Sequence, residues 1–64
     1  MDKEKLHTLI ELYADMTKVD HEYKCHDALV LRMNSIMLAN KALEGIALSD
    51  VDQAELNKAL ALIV

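Results

Sequence analysis

CHDALVLRMNSIMLANKAL, residues 25–43, is the stretch that decides the fold of this 64-residue chain. Residues on one face of a helix recur every three or four positions. At that spacing the stretch carries two apolar faces, one through Leu29 and Met33 and another through Leu31 and Leu38. A helix with two apolar faces needs two sets of partners. The stretch therefore predicts a central, largely buried helix.

The segment before this stretch has the pattern of an amphipathic helix. From Lys3 to about Thr17, apolar residues recur at helical spacing and polar residues occupy the opposite side. No Gly or Pro interrupts the chain before Gly45, so one continuous helix from Lys3 to Glu44 is an alternative to two helices. Because the apolar face changes sides near the polar run around Asp20, we favour a tight connection there. Asp20, or Thr17 with Asp20 three residues later, would cap the second helix.

The following connection carries stronger signals. Gly45 comes directly after Glu44 and is the one residue of this chain that adopts a positive φ without steric cost. Ser49 is followed by Asp50 and Asp52, a pattern typical of a helix start, where a hydroxyl caps an N–H and carboxylates lie at the positive end of the dipole. The sequence thus predicts an all-α fold in a single domain, 1–64, with three helices at about 3–17, 21–44 and 50–63.

A chain of this length is too short to bury a large core alone. A domain of about 60 residues buries only about 60% of the surface that its unfolded chain exposes, and its stability is marginal. One cysteine excludes an internal disulfide. The hydrophobic content of 53% and the apolar ending ALALIV, residues 59–64, favour burial against another copy. We therefore predict a helical bundle completed by homodimerisation, with the middle helices at its centre.

The predicted dimer interface follows the main apolar face of the middle helix. From Leu29 to Leu43 the spacing alternates four and three residues, as in a coiled-coil seam, and Asn40 occupies one seam position. A buried Asn there would set register and oligomeric state, whereas an Asn at the seam edge would remain half in water. The predicted interface residues are Leu29, Met33, Ile36, Met37, Asn40, Leu43, Leu60 and Ile63.

One cluster offers ligand chemistry, with the candidate metal ligands His21, Cys25 and His26. On a continuous helix His21 and Cys25 would share a face, and two copies would supply four ligands for tetrahedral zinc. The ordinary interpretation is favoured, in which Cys25 lies in the apolar seam as a small hydrophobic residue and both histidines are surface residues. We therefore predict no metal site.

Two further features concern partners. Glu4, Glu11 and Asp15 form an acidic stripe on the outer face of the first helix, which is either a solvated face or a docking surface for a basic protein. Arg32 lies beside the apolar face of the middle helix. Its side chain either reaches an acidic residue across an interface or is exposed.

The charge balance argues against nucleic acid as a partner. The net charge is −4 and the pI is near 5.1, whereas binding to phosphate backbones requires clustered Lys and Arg. No apolar run approaches the roughly 20 residues of a membrane span, and the opening residues lack the apolar core of a signal peptide. We therefore expect no nucleic-acid or membrane partner and a cytoplasmic location.

The sequence favours a small protein–protein interaction module, an adaptor or regulator that acts as a homo-oligomeric helical bundle. We expect no cofactor and no enzymatic activity, because a chain with one Gly has no phosphate-cradling loop and little room for a concave pocket of about 300 Å³ or more. Two alternatives are a Cys/His metal or redox sensor, and a small chaperone or subunit that a different protein completes.

Overall fold

The computed structural model describes residues 2–63, and within them the fold is all-helical, with three helices and no strand. Helix α1 spans Lys3–Glu22, α2 spans His26–Leu43 and α3 spans Asp50–Ala61. The predicted all-α architecture of three helices is confirmed. No helix in this part of the chain combines the length and the apolar character that crossing a membrane requires.

Helix α1 is five residues longer than predicted. It begins at an Asp2 cap, whose Oδ1 accepts from the backbone N–H of Glu4 at 2.9 Å. It then continues through Thr17 and ends at Glu22. The predicted end near Thr17 and the predicted capping role of Asp20 are therefore wrong, because Asp20 lies inside the helix.

The connection between α1 and α2 is a Schellman turn built without glycine. The Lys24 N–H donates to the His21 carbonyl oxygen at 3.2 Å, and the Cys25 N–H donates to that of Asp20 at 2.8 Å. This pair of bonds satisfies carbonyls that the helix end leaves without partners. Lys24 takes the left-handed position, with φ 58°. A connection of three residues makes α1 and α2 an antiparallel hairpin.

The end of α2 and the start of α3 match the predictions. Gly45 has φ 78°, and its N–H donates to the Ala42 carbonyl oxygen at 3.1 Å, while the Ile46 N–H donates to that of Lys41 at 3.0 Å. Ser49 caps α3, and its Oγ accepts from the Asp52 N–H at 3.2 Å. The left-handed Gly45 and the Ser49 cap are confirmed.

The core lies where the three helices meet, and α1 supplies its largest share. Its buried apolar residues are Leu6, Leu9 and Tyr13 from α1, Leu38 and Ala39 from α2, Leu56 and Ala59 from α3, and Ile63. Every buried side-chain nitrogen or oxygen in the described residues has a hydrogen-bond partner. A single chain thus forms a core in which these buried polar atoms are hydrogen-bonded, without a second copy.

The middle helix is much less buried than predicted. Only Leu38 and Ala39 of α2 are buried, whereas Leu31 and Met33 are 64% and 57% exposed. Cys25 is also exposed, so its predicted place in a buried seam is wrong for the isolated chain. The physical reason is that α1 and α3 cover only part of the circumference of α2, and its remaining apolar residues face outward.

Candidate functional site

An open groove of about 820 Å³ runs between α1 and α2. It is larger than the chain length led us to expect. Its apolar lining comes from Leu29, Met33, Ile36 and Met37 of α2 and from Ala14 of α1. The residues that complete it are Thr17, Lys18, His21, Asn40, Lys41 and Glu44. No residue of α3 in the described chain lines this groove, so it is a surface of the hairpin alone.

The two methionines are the most accessible apolar side chains of the groove. Met33 is 57% exposed and Met37 is 47% exposed, while Leu29 and Ile36 are half-buried. An unbranched thioether side chain adapts to irregular surfaces, which is why Met is common at binding surfaces. The groove therefore presents adaptable apolar surface to water.

The polar residues of the α1 wall are Thr17, Lys18 and His21, and the Thr17 hydroxyl already has a hydrogen-bond partner. The Thr17 hydroxyl donates to the Ala14 carbonyl oxygen at 2.6 Å, within the helix itself. A hydroxyl that already has a partner does not lose a hydrogen bond when a neighbour displaces water from it. A second apolar surface can therefore cover this wall without leaving the hydroxyl donor unsatisfied.

The predicted interface residues divide into two groups. Five of them line the groove, namely Leu29, Met33, Ile36, Met37 and Asn40. The other three contribute to the core of the chain: Leu43 and Leu60 pack against it and Ile63 is buried in it. The residues chosen by the alternating four- and three-residue spacing therefore include the α2 side of the groove. Leu43, the last residue of that pattern, packs against the core instead.

The α1 side of the groove was not predicted. Ala14, Thr17 and His21 recur at three- and four-residue spacing, which places them on one face of α1. The signal was present in the sequence, but an α1 that ended at Thr17 could not present His21 on that face. Because the end of α1 was predicted too early, the α1 side of the groove was not predicted.

A partly buried ion pair links α1 and α2 outside the groove. Arg32 Nε donates to Asp20 Oδ2 at 2.7 Å, and the Arg32 guanidinium lies 5.7 Å from the centroid of the Tyr13 ring. Asp20 is 8% exposed and Arg32 is half-buried. The sequence left two interpretations of Arg32 open, an acidic partner across an interface or exposure, and in the structure the acidic partner belongs to the same chain. Removing one member would leave a buried charge, so the pair favours a single α1–α2 register.

The Cys/His cluster lies around the Schellman turn. His21 is in the last turn of α1, Cys25 is the residue before α2, and His26 begins α2. The turn separates His21 and Cys25 onto different elements, so they do not share a helix face as the metal hypothesis required. Within residues 2–63, no three His, Cys, Asp or Glu side chains come together as a metal-binding group. Cys25 Sγ is 3.8 Å from the Tyr23 carbonyl oxygen.

The acidic stripe is on the surface, as its position on α1 predicted. Glu4, Glu11 and Asp15 are all exposed. Asp15 Oδ1 lies 3.9 Å from Lys18 Nζ, and both side chains are about four-fifths exposed. An ion pair that open to solvent contributes little to stability. The stripe is therefore available to a partner.

A second, smaller depression of about 220 Å³ lies between α2 and α3. Leu31 and Leu62 are among its lining residues and are 64% and 77% exposed. Arg32 and Lys58 also line it. This depression is more polar at its edges than the α1–α2 groove and holds a smaller volume.

The α1–α2 groove offers apolar surface, adaptable side chains and charged residues. Protein interfaces are built from the same components. No protein-family model matches the chain, and comparisons with curated proteins and with solved structures gave no significant match.

Proposed function

We propose that this chain is a small protein–protein interaction module, an adaptor or regulator that acts as a homo-oligomeric helical bundle. The observation that carries the proposal is the open apolar groove between α1 and α2. It lies on a chain whose core is already complete, so the groove is not required to hold the fold together. An exposed apolar surface of this kind is typical of a binding site.

The acidic stripe supports a second binding surface. Glu4, Glu11 and Asp15 are exposed and none of them lines the groove. If self-association covers the groove, the acidic stripe of each subunit would remain exposed. In the proposal the groove serves self-association, and the stripe recruits a basic protein through complementary charge.

Affinity capture with matched charge variants tests the recruiting surface. The triple variant Glu4→Gln, Glu11→Gln, Asp15→Asn removes the stripe, and Glu22→Gln, Asp27→Asn, Glu55→Gln removes three exposed acidic residues elsewhere. We expect proteins captured by the wild type to be lost by the first variant and retained by the second. Equal loss from both would show dependence on net charge alone and would contradict a specific stripe.

A subunit completed by a different protein is a second candidate function. The exposed Leu31 and Leu62 beside the smaller depression favour it, because a dimer formed through the groove leaves them uncovered. The variant Leu31→Ser, Leu62→Ser separates the two candidates. Loss of a captured partner together with an unchanged oligomeric state would favour the second candidate.

A further inference from the structure

We propose that a second copy of this chain occupies the α1–α2 groove, with the two hairpins antiparallel to each other across a two-fold axis. The inference rests on the proposed homo-oligomeric function and specifies its interface. It specifies the groove as the interface, the relative direction of the two chains and the charged residues that would pair between them.

The chain exposes more surface than a compact monomer of its mass. Its accessible area is 4673 Å², whereas the scaling relation for folded monomers gives about 4,100 Å² at 7.2 kDa. The radius of gyration is 11.5 Å, compared with about 10.7 Å expected for 64 residues. The excess of about 570 Å² is close to what each partner buries in an interface of about 1,100 Å², near the lower bound for a specific complex.

Charge gives the groove two different ends. Lys18 and His21, from the last turns of α1, lie at the end nearest the Schellman turn, and Glu44 lies at the other end, just beyond α2. From Leu29 to Glu44 the groove extends about 22 Å at 1.5 Å per residue. Among the ion pairs of residues 2–63, none involves Glu44. Its carboxylate is therefore free to pair with a second chain.

The direction of the second copy follows from these ends. In an antiparallel pair the two-fold axis crosses the middle of the groove near Met33 and Met37, and Glu44 of each chain meets Lys18 and His21 of its partner. In a parallel pair Lys18 would face Lys18 and Glu44 would face Glu44, and like charges directly opposed are unfavourable. Lys41 also lines the groove, is half-buried and lies one turn before Glu44, so this end carries one charge of each sign.

The apolar contact has a matched pair of variants. Met33→Glu places a charge in the centre of the groove, and Val30→Glu places the same charge on the same helix outside it. Both residues are more than half exposed, so both variants should fold. We expect Met33→Glu to raise the dimer dissociation constant about 100-fold, as substitution at the centre of an interface does, and Val30→Glu to leave it within about threefold.

The charge pairing is tested by mixing two chains. Lys18→Glu and Glu44→Lys each place two like-charge contacts in their own dimer and should weaken it about tenfold, the equivalent of 1.4 kcal/mol. Mixed together, the two chains restore both opposite-charge contacts, and the mixture should dimerise as tightly as the wild type. Raising the salt concentration should reduce these differences.

The outcomes separate this interface from the function on which it rests. Restoration by mixing supports the antiparallel groove dimer. An oligomer whose dissociation constant is unchanged by Met33→Glu, Lys18→Glu and Glu44→Lys would overturn this interface while leaving the homo-oligomeric proposal in place. A chain that stays monomeric at every concentration, or that binds only a different protein in the groove, would overturn both.

Discussion

Lys24 holds the left-handed position of the turn between α1 and α2, with φ 58°. A residue with a Cβ pays about 1 kcal/mol or more for that conformation, whereas glycine does not. The sequence could not reveal this position because the residue type gives no sign of it. Gly45 occupies the same position at the next helix end and was predicted for that reason.

Replacing Lys24 by glycine should therefore stabilise the chain. We expect Lys24→Gly to raise the free energy of unfolding by about 0.5–1 kcal/mol, after the larger entropy of glycine in the unfolded chain is subtracted. Urea denaturation followed by circular dichroism measures the change. The matched control is Gly45→Ala, which should destabilise by about 1 kcal/mol, since an added Cβ at Gly45 meets nothing within 4 Å and the cost is one of conformation only. A loss of stability in Lys24→Gly would contradict the assigned turn.

Cys25 is a residue whose burial was predicted incorrectly from spacing. Its spacing with Leu29 and Met33 predicted burial, but the turn places it at the start of α2, where it is exposed. Residue spacing predicts a shared face only within one continuous helix. Cys25 precedes the first residue of α2, so its spacing to Leu29 does not predict burial.

An exposed thiol should react freely with solvent reagents. We expect an aromatic disulfide reagent at neutral pH to label Cys25 in the folded chain at a rate within about tenfold of that in urea, because access rather than unfolding governs the reaction. Cys25→Ala should change the free energy of unfolding by no more than about 0.5 kcal/mol. Labelling that proceeds only as fast as the protein unfolds would place Cys25 in a buried site.

At the scale of the helices, the sequence predicted the number and kind of elements better than their limits. The Ser49 cap and the left-handed Gly45 are set by residue type within a few positions, and both are confirmed. The end of α1 depends on contacts between residues far apart in sequence. Asp20 pairs with Arg32, twelve residues later, and local patterns do not contain that register.

Burial along one face of α2 can be measured with one residue type. Leu38 is 1% exposed, whereas Leu31, two turns earlier on the same face, is 64% exposed. We expect Leu38→Ala to cost about 2–5 kcal/mol, the range for deleting a buried leucine side chain, and Leu31→Ala to cost less than about 1 kcal/mol. Thermal unfolding of both variants at one protein concentration makes the comparison. Similar costs at the two positions would show that the difference in burial along this face is assigned incorrectly.

At the scale of the whole molecule, the chain has a small core whose buried side-chain polar atoms are all hydrogen-bonded in the described residues. It also has more accessible surface than a folded monomer of its mass is expected to have. The sequence predicted that the apolar faces of residues 25–43 need partners, and five of its eight predicted interface residues line the groove. It could not supply the α1 wall or the charged ends, because these depend on how two helices are paired. The fold thus leaves the most apolar helix open along one side, and the proposed dimer covers that side.

Sedimentation equilibrium of the wild-type chain at micromolar concentration tests the central claim of self-association most directly. The measurement needs no partner and no substitution, and dilution toward the nanomolar range shows whether the assembly is reversible. We predict a mass of about twice 7.2 kDa for a chain that circular dichroism shows to be helical. A helical chain that sediments at 7.2 kDa across the whole concentration range would contradict the account.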